Sequence, residues 1–238
     1  MRVLVLQHIA CEPPGVFEDV LVARGAAITR VEVDEGQPIP PLDDHDALIV
    51  MGGPMGAYED DRHPWMDDEL STIAAAIESD MPVLGVCLGA QLLARAAGGR
   101  AYAGHGAEVG VLPVRLTADA DGDPVLGHLP PTFAALQWHG DTFDVPAGGM
   151  MLATSDEYPQ AFRVGRAYGL QFHAEVTSAM AREWAEVPAY AASLDAVLGP
   201  GSFPALLDDF EQDRPAMHRV AETIAERFAD LVAARSRR

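Results

Sequence analysis

The chain has 238 residues, 49% of them hydrophobic, enough to build one sizeable core in a single domain. It carries 36 acidic residues against 16 basic ones, all of them arginine, for a formal charge of −20. Such a field repels nucleic-acid backbones and anionic lipid, and the lack of lysine excludes Schiff-base chemistry and the lysine-ended phosphate loop.

The first element is a short apolar strand from Arg2 to Gln7, stopped by Gln7 and His8. It lacks the basic and long apolar regions of a secretory leader, and no apolar run approaches bilayer length, so a cytoplasmic protein with no membrane partner is expected. Val16 to Arg24 suits a helix, and Ile28 to Val33 alternates as a strand. Ala47 to Met51 reads as a buried strand opening into Gly52-Gly53-Pro54-Met55-Gly56. That loop fits an ordinary turn, and it also fits a backbone that must come close to a substrate carbonyl. Trp65 to Ser79 places Met66, Leu70, Ile73, Ala74 and Ile77 at helical spacing.

Val83 to Val86 is another short apolar strand, followed by Cys87 in the frame G-x-C-x-G and then by an amphipathic helix through Leu92 and Leu93. A cysteine on so tight a strand-to-helix turn needs small neighbours, which Gly85 and Gly89 supply. The helix start behind it offers N–H groups and partial positive charge to an anionic sulfur or a developing oxyanion. Read alone, Cys87 fits a small buried hydrophobe as well as a nucleophile. Cys11 and Cys87 make neither a disulfide framework nor a C-x-x-C metal pattern, which fits a reducing compartment.

This β-α alternation implies an open, mostly parallel sheet with helices on both faces and a site at the carboxyl ends of the strands. From Val111 the texture changes to shorter strands, at Val111 to Leu116, Phe133 to Trp138, Met151 to Thr154, Ala161 to Val164 and Tyr168 to His173. Val164-Gly165-Arg166-Ala167 reads as a hairpin turn, so this half should add antiparallel strands. On a strand, residues two apart face the same way, and His173 and Glu175 would share a site if the extended backbone persists past His173. Beyond about residue 177 a helical extension is expected: Ser178 to Val187, Phe203 to Glu211 after Gly199-Pro200-Gly201, and a final helix opened by Asp213-Arg214-Pro215. The final helix would bury Met217, Val220, Ala221, Ile224, Phe228 and Leu231, and the basic cluster Arg235, Arg237 and Arg238 should fray at its end. The remaining histidines show no metal-ligand spacing, so no metal is expected.

Three motifs together, G-V-C-L-G-A-Q at Gly85 to Gln91, M-G-G-P at Met51 to Pro54 and Q-F-H-A-E-V at Gln171 to Val176, resemble the class I, or triad, glutamine amidotransferase family. Leu136-Gln137-Trp138-His139-Gly140-Asp141 is similar to a segment of the branch that includes the amidotransferase domain of GMP synthase. The resemblance runs in order from about Arg2 to Val176, with one departure: Ala174 stands where the family usually has proline, which would hold the preceding residue extended.

The resemblance implies a flavodoxin-like fold and a cysteinyl thioester route. Cys87 would be the nucleophile, His173 its base and Glu175 the group that orients His173, with Gly53 and Leu88 forming the oxyanion hole. Gly52, Gln91, His139, Gly140 and Asp141 would bind substrate. Glutamine, or another γ-glutamyl amide, is the implied substrate, no organic cofactor is implied, and ammonia would pass to a separate synthase. A non-catalytic binding protein on the same fold is the further alternative.

Overall fold

The structure, a computed structural model, describes residues 1–235, and within them nine strands join in one sheet. Five strands run parallel: β1 (Arg2–Gln7), β2 (Ala27–Glu32), β3 (Ala47–Val50), β4 (Val83–Val86) and β9 (Ala167–Leu170). Strands β5 (Ala101–Leu116), β6 (Thr132–Phe143), β7 (Met150–Thr154) and β8 (Pro159–Val164) continue the sheet antiparallel, in the order β2-β1-β3-β4-β9-β8-β7-β5-β6.

The parallel strands are apolar without a break because helices cover both faces. On β1, Val3 and Val5 join Phe17 and Leu21 of α1 (Val16–Ala23) and Ile224 and Phe228 of α6 (Phe203–Arg235) in one core. Leu4 and Leu6 point the other way, into a core with Met66 and Ile73 of α2 (Trp65–Glu78) and Leu92 and Leu93 of α3 (Leu88–Ala96). Successive strand residues alternate between faces, so one tetrapeptide feeds both cores. A third cluster packs α4 (Ser178–Trp184), α5 (Pro188–Leu198) and the first half of α6 around Trp138 of β6.

The sequence-derived elements are found, with four differences. Strands β5 and β6 are far longer than expected, because they pair with each other beyond the alternating cores of Val111 to Leu116 and Phe133 to Trp138. Strand β9 stops at Leu170, and His173 is extended only through a bridge in which its backbone exchanges hydrogen bonds with Leu136 at 2.9 and 3.0 Å. The segment Ser178 to Val187 is helical only to Trp184, and α5 follows unannounced, since its buried residues, Tyr190 and Leu194, make too thin a stripe to read.

The two expected C-terminal helices are one, with Pro215 inside it. Proline forfeits one helical hydrogen bond and crowds the preceding turn, yet Leu206 and Phe210 before it and Met217 and Val220 after it are all buried on the same body. Arg235 is the last helical residue and donates to the Ser79 carbonyl at 3.4 Å, while Arg237 and Arg238 lie outside the described residues. Among the described residues, no helix is long and apolar enough to cross a membrane.

Candidate active site

Strands β1, β3, β4 and β9 all end at the same edge, and the chain leaving each of them contributes to one cluster. The chain leaves β4 straight into Cys87, whose backbone sits at φ 52°, a region that L residues other than glycine rarely occupy. Its N–H donates to the Leu170 carbonyl at the end of β9, which ties the two strand ends together. A methyl group at Gly85 would overlap the Gly89 carbonyl, and one at Gly89 would overlap the Val50 carbonyl, so both flanking glycines are required by close approach. Leu88 is the first residue of α3, and its N–H therefore has no carbonyl one turn earlier to meet.

The His173 ring is buried beside Cys87. Its Nδ1 lies 2.7 Å from Glu175 Oε1, and since an ionised carboxylate only accepts, Nδ1 carries the proton and Nε2 is left for the Cys87 sulfur. Burial opposes the charged ring, but the Glu175 carboxylate and the hydrogen bond with Cys87 outweigh it and hold the imidazole well above its ordinary range. Glu175 is wholly buried, and its second oxygen accepts the Ala174 N–H at 3.0 Å. A proline at position 174 has no such proton to give, so the one departure from the family motif adds a bond to the orienting carboxylate. Trp184 stacks edge-on against the His173 ring at 4.7 Å and donates its indole N–H to the Cys11 carbonyl at 2.9 Å.

Other buried polar residues escaped the sequence reading. His8, just past β1, reaches the Gly52 carbonyl through Nδ1 at 3.2 Å and Glu69 through Nε2 at 2.9 Å, and so fixes the glycine loop from behind. Burial disfavours its charge, but Glu69 and the Gly52 carbonyl raise its pKa on balance. Glu12, in the loop after β1, accepts a hydrogen bond from the Tyr190 hydroxyl of α5. A signal for Glu69 was legible, because it lies on the apolar stripe of α2 three residues from Met66 and four from Ile73. Nothing local marks Glu12 or Tyr190.

A cavity of about 240 Å³ opens onto Cys87. Gly53 and Leu88 line it, as do Gln91, His139, Gly140 and Asp141, with Trp138 and Tyr190 closing other sides. Gly53 belongs to the loop that follows β3, and a methyl group there would stand 2.8 Å from His8 Cβ and 3.1 Å from Leu88 Cδ2. Gly52 does not line the cavity but backs it. Gln91 commits its amide to Gln171 at 3.1 Å, and both ring nitrogens of His139 are engaged, with the Asp141 carbonyl at 2.9 Å and Glu108 at 3.1 Å. His139 thus offers a wall rather than a free nitrogen. Asp141 accepts from the Tyr58 hydroxyl at 3.2 Å, and partial burial holds its carboxyl above the usual carboxylate range. Among the described residues no group of three or more His, Cys, Asp or Glu is placed to hold a metal ion.

This constellation, a sulfur at a strained elbow beside a buried imidazole and carboxylate, is that of a thiol hydrolase on a flavodoxin-like fold. The pattern of the family described as glutamine amidotransferase class-I matches residues 16–184, and the chain belongs to that family. The glutamine amidotransferase-like protein YfeJ of Salmonella typhimurium is 31% identical over 183 residues, 74% of this chain and 77% of that protein. A glutamine-hydrolysing GMP synthase of Thermomicrobium roseum is 38% identical over 131 residues, 54% of this chain but only 23% of the synthase. The crystal structure of a glutamine amidotransferase from Thermotoga maritima superposes with a TM-score of 0.86 at 31% identity, covering 96% of this chain and 97% of that one. One from Methylobacillus flagellatus gives 0.85 at 30% identity, over 97% and 94%. The chain is therefore an enzyme of this hydrolytic, cysteine-dependent class, and not a non-catalytic binding protein that has kept only the fold.

Proposed function

We propose that the protein is a glutamine amidohydrolase that releases glutamate and ammonia through a cysteinyl thioester. The observation that supports this most strongly is the meeting of the Cys87 elbow with the buried His173 and Glu175 pair at one cavity. Cys87 passes its proton to His173 Nε2 and attacks the carboxamide carbon, and the carbonyl oxygen becomes an oxyanion near the N–H groups of Leu88 and Gly53. As the C–N bond breaks, His173 returns the proton to nitrogen, ammonia leaves and the thioester remains. Water then gives a proton to His173 and adds to the thioester carbon; the C–S bond breaks, the proton returns to sulfur and glutamate departs. Glu175 keeps the ring oriented and balances its charge throughout.

Asp141 suits the α-amine of the substrate, and Gln91, Gly140, His139 and Gly52 shape or back the pocket that receives the amino-acid end. Every group in this cycle is a side chain or a backbone amide, so neither metal nor organic cofactor is called on. The matched GMP synthases extend well beyond the region shared with this chain, which spans 23% and 28% of two of them. In this reading the chain is a single amidotransferase domain with a helical extension from about residue 177, works in the cytoplasm, and hands ammonia to a separate synthase.

Glutamate and ammonia release from glutamine, in the parent and in Cys87→Ala, tests the reading. A loss of about a thousandfold or more is expected on removing the sulfur. Glutamine and other γ-glutamyl amides share the glutamyl head, so a panel varied at the amide nitrogen decides between them. Faster turnover of a substituted amide moves the substrate to that class; inertness on the whole panel, alone and with any synthase recovered from the native cell, sinks the proposal.

A further inference from the structure

Glu12 is buried, with 2% of its surface exposed, and the cycle proposed above gives it no part. The place a methyl group on Gly52 would occupy is already filled by Glu12 Oε2, and His173 Cε1 lies 3.4 Å from that same point. The carboxylate therefore stands beside the edge of the ring that neither Glu175 nor Cys87 uses: Nδ1 faces Glu175, Nε2 is left for the sulfur, and Cε1 lies between them. The Tyr190 hydroxyl donates to the other oxygen, Oε1. Four titratable groups face Glu12: His173 and Glu175 from the segment after β9, Tyr190 from α5, and His8 from the end of β1. His8 already answers Glu69, and among the described residues no arginine forms an ion pair with Glu12. A buried carboxylate without a cation is strongly unfavourable, and the imidazolium that forms when Cys87 loses its proton is the cation within reach.

We infer that Glu12 is a positioning residue of this site: held by Tyr190 against the glycine loop, its carboxylate stabilises the charged form of His173 from the ring's third edge and so couples helix α5 to the thiolate. Several features fit. Gly52 has no side chain because Glu12 needs the space. A ring C–H is a weak donor, but a carboxylate next to it acts mainly through charge at low local dielectric. Burial raises the pKa of Glu12, while His173 and the Tyr190 hydroxyl favour its ionised form, so the support it gives His173 grows as pH rises through that titration and is lost below it. Burial and the neighbouring Glu12 keep the Tyr190 hydroxyl protonated, hence a donor, well past its ordinary range.

The inference rests on the roles proposed for Cys87 and His173, and its test avoids glutamine altogether. The ring resonances of His173 are followed across pH by nitrogen NMR in the full chain labelled at histidine, for the parent, Glu12→Gln, Glu12→Asp and Tyr190→Phe. Alkylation of Cys87 by iodoacetamide, read by mass of the labelled peptide, runs in parallel. Cys11 stays silent, since burial and Glu12 push its thiol up to about 11. Glu12→Gln is expected to cut the charged fraction of His173 on its alkaline limb about tenfold, so that the ring loses its proton about one pH unit earlier than in the parent. Glu12→Asp, which keeps the charge, should hold most of it. A glutamine variant that superimposes on the parent, or an aspartate variant that falls equally far, overturns the inference. Should Glu12→Gln fail to fold, Tyr190→Phe decides: loss of the donor should move the acid-side inflection of the His173 resonance up by about 0.5 in pH or more, and an unmoved inflection counts against it. His173→Asn is the control for the underlying reading, because an unchanged alkylation profile there would refute the base and not Glu12.

Discussion

Ala174 shows how much one backbone proton can matter at a buried carboxylate. Its N–H is 3.0 Å from Glu175 Oε2, and Glu175 in turn holds His173. Hydrogen bonds to charged groups contribute about 1.5–3 kcal/mol, and a domain of this size loses roughly 2–4 °C of Tm per kcal/mol. Ala174→Pro is therefore expected to lower Tm by several degrees and to reduce kcat with little change in KM, because the ring is less firmly aimed while the pocket is untouched. Calorimetry and steady-state kinetics on this variant check the claim; parent-like values in both would show that the bond is dispensable. At the same scale, the residues the sequence made legible were those whose spacing is itself the signal. Cys87 was readable because two glycines two residues either side of it have no other good explanation, and the backbone now gives that explanation as overlap with the Gly89 and Val50 carbonyls.

Among the elements, the helices after β9 carry the parts that were not legible. Trp184 at the end of α4 touches His173 and bonds the Cys11 carbonyl, and Tyr190 on α5 bonds Glu12 and accepts from the Trp138 indole through its carbonyl at 3.2 Å. These helices close the cavity that β4 and α3 open. Removal of a fully buried large aromatic costs about 3–5 kcal/mol, so Trp184→Ala should unfold at markedly lower denaturant. It should also slow Cys87 alkylation at neutral pH under conditions where the protein is still folded, since the ring of His173 loses its backing. Reduced stability with an unaltered alkylation rate would assign Trp184 to packing alone. Helix α5 went unread because its amphipathic stripe is only two residues deep, and the unity of α6 because local chemistry at Pro215 argues for a break that burial on both sides overrides.

The whole molecule carries −20 charges, and its ion pairs are mostly exposed, as between Arg100 and Asp144 or Arg24 and Asp230. Such pairs add little to stability, whereas the net self-repulsion acts on the entire folded body. Screening becomes effective over about 10 Å at 0.1 M salt, so Tm should rise between low and near-physiological sodium chloride. A Tm that falls over that interval would mean that the surface pairs outweigh the repulsion. The acidic surface leaves the site itself electrostatically self-contained: its charges are His8 with Glu69, His173 with Glu175, and Glu12 between them.

What the amino-acid order determined without help was everything with a short period: buried strands, amphipathic helices, the glycine-flanked elbow, and the strand pattern that puts a site at one edge of a parallel sheet. Those signals are local, repeating every two or every 3.6 residues, and need no knowledge of neighbours. Only the tertiary structure decided which distant groups meet at that edge. Glu12 and Tyr190 are 178 positions apart, and they touch because the sheet brings the ends of β1 and β9 to one edge, where α5 supplies the tyrosine. A contact fixed by sheet order leaves no trace in the spacing of the residues that make it.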